Sequence, residues 1–70
     1  MNASELRAEI ARAGKTYGDC AGAIGISAAS FGRKMSLASE FKGSEIKSLV
    51  SYLGLDMDSV NRIFFSESVT

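Results

Sequence analysis

The sequence has no histidine and a single cysteine, Cys20. It can close no internal disulfide, and no cluster of residues has the spacing of metal ligands. Small domains stapled by disulfides or by zinc are thereby excluded. No apolar run approaches the ~20 residues that span a bilayer, and the first residues do not resemble a secretion signal. The chain is expected to be soluble and cytoplasmic, with no membrane partner. An excess of one charge is also missing, because eight basic and eight acidic residues give a formal net charge of zero. Domains that bind nucleic acid are commonly basic, so the total alone does not point to one. Catalysis lacks its usual parts. There is no histidine, no nucleophile–base pair and too little chain to form a cleft, so no enzyme, cofactor, metal or small-molecule ligand is expected. Cys20 is the one candidate nucleophile, and it falls on the apolar face of a predicted helix, where a thiol is inert filler.

What is present is helical periodicity. Seventy residues allow one domain, whose core is small enough that stability is modest unless a partner adds to it. Leu6, Ile10 and Ala13 recur at i, i+4 and i+7 and predict a first helix over residues 4–13, with Asn2 or Ser4 as its cap. Glu5 and Glu9 stand early in it and Arg12 late, as the helix dipole favours. Ile46, Leu49, Val50 and Leu53 mark the clearest amphipathic helix, Ser44–Leu53, stopped by Gly54. Asp56 caps a last helix, Met57–Phe65, with Val60, Ile63 and Phe64 on its inner side. Ser66–Thr70 reads as a short polar tail.

The stretch between these helices, residues 16–35, organises the chain. Thr16 is placed to cap a helix, with Asp19 in the capping-box position. Cys20, Ala21 and Ile24 form its narrow apolar face, and Gly25 ends it in the left-handed conformation. Ser27 opens a second helix whose apolar face is Phe31 and Met35. Two short helices joined by a tight glycine turn make a helix-turn-helix. The predicted fold is an all-α bundle of five short helices.

Counted from Tyr17, a small residue stands fifth (Ala21), glycine ninth (Gly25) and a bulky apolar residue fifteenth (Phe31). This pattern resembles the phage Cro and repressor (lambda repressor-like) helix-turn-helix family, and the similarity runs from about Leu6 to Phe65. The chain looks like a small prophage Cro-like regulator. One place departs from the pattern: the eighteenth, often Ile or Leu, is Lys34, so that Met35 must carry the core contact.

The resemblance implies a transcriptional regulator that inserts the helix Ser27–Met35 into the major groove of operator DNA. Ser27, Ala28, Ala29 and Arg33 would then form its base-reading face. Thr16, Tyr17, Ser30, Lys34, Ser36 and Lys42 would lie near phosphates. Tyr17 has a second reading, as a ring packed on a neighbouring side chain. Arg33 can reach a base or a phosphate, and arginine is the side chain best suited to reading guanine. The alanines offer only methyl contacts to thymine, so shape and dimer spacing share in specificity. Charge distribution agrees with this: Arg7, Arg12, Lys15, Arg33, Lys34 and Lys42 face four acidic residues in the first 43 positions, whereas the remainder is mildly acidic. Such regulators bind DNA as dimers, and Phe65 and Met57, left over from the last helix's inner stripe, are the candidate contacts between copies; the other reading is that Phe65 folds back on its own monomer. An alternative stays open, a helix-turn-helix-derived interaction module, such as an antirepressor or adaptor. The neutral net charge, the alanines on the reading face and the helix glycines Gly18 and Gly22 favour that alternative.

Overall fold

Asn2, Thr16, Ser27 and Asp56 each stand one residue ahead of a helix, and each turns a side-chain oxygen onto an N–H three residues on. The acceptor distances are 3.1 Å to Glu5 N, 3.0 Å to Asp19 N, 3.0 Å to Ser30 N and 2.8 Å to Ser59 N. These contacts satisfy amides that a helix start leaves without partners. They open α1 (Ala3–Arg12), α2 (Tyr17–Ile24), α3 (Ala28–Met35) and α5 (Met57–Val60). α4 (Gly43–Leu53) begins differently: the Glu45 carboxylate reaches back and accepts the Lys42 N–H at 2.9 Å. A computed structural model describes residues 1–65, which hold these five helices and no strand. The tail expected at Ser66–Thr70 lies outside the described residues.

The helix ends follow equally local chemistry. Gly14, Gly25 and Gly54 take positive φ where the chain leaves α1, α2 and α4, the conformation glycine adopts without steric cost. α1 stops at Arg12, one residue earlier than its apolar stripe suggests. Ala13 caps it and is exposed, so it is not part of the core as the i, i+7 spacing predicts. Past Val60 the last helix widens into a π-turn over Asn61–Phe65, the i→i+5 form found in short pieces.

The core joins the first four helices and the π-turn. Leu6 and Ile10 of α1, Cys20 and Ala21 of α2, Phe31 and Met35 of α3, Leu49 of α4 and Ile63 of the π-turn are buried together. α2 is the hub, packed against both α3 and α4, while α1 lies against the π-turn. The Asn2 N–H donates to the Ile63 carbonyl at 2.7 Å and ties the N-terminus to the last helix. Arg62 reaches Glu5 and Glu9 of α1 at 3.4 and 3.8 Å. Burying α2 between two neighbours requires small side chains on it, and Cys20 and Ala21 meet that need.

Candidate nucleic-acid interface

α3 has two different sides. On the inner one Phe31 is wholly buried and Met35 nearly so. The Phe31 ring meets Tyr17 of α2 at 5.3 Å between centroids and Phe41 of the following loop at 5.5 Å. Phe41 in turn meets Phe64 at 6.3 Å. All three contacts are edge-to-face, the arrangement that ring quadrupoles favour. This aromatic chain pins α3 to α2 and to the last helix. On the outer side Ser27, Ala28, Ala29 and Arg33 are exposed to solvent, and Ser30 is half-buried beside them. Nothing among the described residues covers that face.

Arg33 is held lightly. Its Nη2 donates to Ser30 Oγ at 3.3 Å, and Ser36 Oγ donates to its carbonyl at 3.0 Å. No carboxylate pairs with it among the described residues, whereas Arg12 pairs with Glu9 and Arg62 with Glu5 and Glu9. α3 contains no acidic residue, so its outer face carries positive charge.

Lys34, expected among the phosphate contacts, has its ammonium 3.2 Å from Glu45 Oε1 and donates to the Glu40 carbonyl at 3.0 Å. It also stands 5.9 Å from the centre of the Phe41 ring. Only 11% of the side chain is exposed. The apolar stem lies inward, while the charged end finds a carboxylate. The Lys42 N–H, foremost, and the Lys34 ammonium hold the Glu45 carboxyl below its ordinary pKa.

The start of α2 gathers a second group. Thr16 is exposed and caps the helix, and Asp19 accepts the Thr16 N–H at 2.9 Å. That bond and the Thr16 hydroxyl keep the Asp19 pKa below its usual value. The first-turn amides of Tyr17 and Gly18 have no intrahelical acceptors. Tyr17 is half-buried: its ring packs on Phe31, while its hydroxyl accepts a hydrogen bond from Arg7 Nε at 3.2 Å. In the sequence Arg7 counts only toward the charge of the first half; it lies ten positions earlier on another helix, and the tertiary fold brings it here.

Ser36 and Lys42 are exposed, as are Met57 and Phe65, at 68% and 66%. Cys20 is buried, and burial, ahead of the neighbouring Asp19 charge, pushes its thiol pKa up. Such a thiol stays protonated and unreactive. Among the described residues no group of His, Cys, Asp or Glu has the arrangement of a metal site, and no helix is long and apolar enough to cross a membrane.

Fold and surface together define an all-helical domain that presents one short helix, pinned along its inner side and bare along its outer one. No protein-family model, curated protein or solved structure matches the chain.

Proposed function

We propose that the chain is a sequence-specific DNA-binding regulator of the Cro and repressor type, with a helix-turn-helix formed by α2, the turn at Gly25 and α3. The observation that carries this reading is the outer face of α3, where Ser27, Ala28, Ala29 and Arg33 are open while Phe31 is locked into the core. A rigid helix with a free polar and small-residue face fits the ~12 Å width of the major groove. In this reading Arg33 reads a base, and Ser27 with the two alanines line the groove. Arg7, the Tyr17 hydroxyl and the first amides of α2 hold a phosphate, as helix starts do. Thr16, Ser30 and Ser36 flank these contacts. Lys34 drops out, since its charge is engaged inside the protein.

The competing reading is an interaction module of the same fold. The zero net charge favours it, as do two alanines on a face where most readers carry hydrogen-bonding side chains. Titration of a labelled random duplex at several salt concentrations separates the two. With Arg7 and Arg33 at phosphates or bases, log affinity against log salt should fall with a slope of about −2 or steeper. No binding even at low salt would overturn the proposal and leave the interaction module.

A further inference from the structure

The hydroxyls at the start of α3 are already engaged by the protein, and both in the same sense. Ser27 Oγ accepts the Ser30 N–H at 3.0 Å, and Ser30 Oγ accepts from Arg33 Nη2 at 3.3 Å. A hydroxyl has one hydrogen to give and two lone pairs to receive. Each serine has therefore used one lone pair and kept its hydrogen, and accepting a bond makes that O–H a stronger donor. Ser36 is the opposite case, since it gives its hydrogen to the Arg33 carbonyl at 3.0 Å. It stands at the far end of the helix, roughly 13 Å along the axis from Ser27, outside the base-reading set.

The rest of that set offers no acceptor. Ala28 and Ala29 have no polar side-chain atom, and the guanidinium of Arg33 has N–H groups alone. Residues 27–36 contain no Asp, Glu, Asn or Gln. The exposed Ser27, Ala28, Ala29 and Arg33 thus form a face of donors and methyl groups.

We infer that α3 reads its site through the keto bases, guanine and thymine, and makes no contact with the amino groups of adenine and cytosine. This rests on the DNA-binding reading above. In the major groove guanine presents N7 and O6, and thymine presents O4 and its methyl, whereas adenine and cytosine each present an amino donor. Those amino groups are read by amide or carboxylate oxygens, which this face lacks. Arg33 meets guanine with two donors, the Ser27 O–H meets a base carbonyl, and the alanine methyls pack on thymine methyls. Ser30 is a positioning residue. In place of the phosphate contact expected for it, its oxygen holds one end of the Arg33 guanidinium and leaves the other N–H groups free for guanine.

Every base pair contains one keto and one amino base, so the preferred sequence alone does not decide the matter; base analogues do. A site selected from a random duplex pool is resynthesised with single replacements and titrated with the full chain. Deazaguanine lacking N7, at the guanine that Arg33 reads, should weaken binding roughly tenfold. Deoxyuridine in place of a contacted thymine removes one methyl and should weaken it about fourfold. Purine for adenine and pyrimidinone for cytosine delete only the amino group and should leave affinity unchanged. Ser30→Ala keeps the backbone N–H that Ser27 caps. It should lower the guanine preference at that one position with the salt slope unchanged, and Ser30→Thr, which keeps the hydroxyl, should retain the preference. A loss of affinity on deleting an amino group overturns the inference. So does a Ser30→Ala variant that binds every sequence equally more weakly, which would return Ser30 to a phosphate. Salt-dependent binding with no preference among bases overturns this inference and leaves the DNA-binding reading standing, whereas no duplex binding at low salt overturns both.

Discussion

The Lys34–Glu45 pair allows a test that separates packing from nucleic-acid contact at a single position. Exposed ion pairs contribute roughly 0–1 kcal/mol, whereas breaking a fully buried one costs about 3–5 kcal/mol. Here the side chains are 11% and 10% exposed, which places the pair close to the buried limit. Two features reduce the loss. Glu45 keeps the Lys42 N–H at 2.9 Å, and Lys34 keeps the Glu40 carbonyl at 3.0 Å. Lys34→Met preserves the apolar stem and removes the charge, and Glu45→Gln preserves the shape. Each should destabilise by about 2 kcal/mol, because each leaves one covered charge without its counter-ion. In a domain of this length that lowers the melting temperature by about 10 °C. The double variant should cost less than the two singles together, with a coupling of about 1.5 kcal/mol from urea unfolding. A coupling below about 0.5 kcal/mol would refute the reasoning and return the pair to the surface class. Duplex binding adds an independent arm. Because Lys34 points inward, Lys34→Met should leave the salt slope unchanged, whereas a lysine lying on a phosphate would take about 0.9 from it.

Arg33→Ala should cost about 1–3 kcal/mol in binding and remove the preference for guanine at one position among duplexes selected from a random pool; equal weakening on every sequence would assign Arg33 to a phosphate. Gly22 sits exposed within α2, and a Cβ there would meet nothing within 4 Å. Gly22→Ala should therefore stabilise by roughly 0.5–1 kcal/mol, read as a higher urea midpoint, and a lower midpoint would mean that the open face of α2 is misjudged. Hydrogen bonds hold the carboxyls of Asp19, Glu45 and Asp56 below their ordinary values of 3.8, 4.5 and 3.8. Groups lowered in the folded state contribute stability that is complete above the unfolded pKa and is lost as pH falls through the folded one. The urea midpoint should thus be level from pH 7 to about 5 and fall below about 4.5. A midpoint that rises on acidification would contradict the assignment.

Much of the fold was legible because helix boundaries are set by local chemistry. Thr16, Ser27 and Asp56 cap within three residues of themselves, and Gly25 and Gly54 end helices through their own φ, so neighbouring residues suffice to predict them. Buried positions were legible wherever a stripe continued into the next turn, as for Leu6 and Ile10. Ala13 shows the limit: its spacing is right, but the helix has already ended at Arg12. The outer face of α3 was legible for the same reason, since Phe31 and Met35 fix which side points inward.

Sequence by itself determined the helices in outline, the caps at Thr16, Ser27 and Asp56, and the two-sidedness of α3, all consequences of contacts between residues three or four apart. Tertiary structure alone decided the fate of Lys34, which depends on a carboxylate eleven residues away, and the place of Arg7 beside Tyr17 on another helix. It also decided that Leu37, at φ 68°, is left exposed in a groove it shares with Met1, Phe41 and Phe64. The physical reason is common to all three: a side chain's charge partner and its exposure depend on which elements pack against it, and no spacing along the chain encodes that.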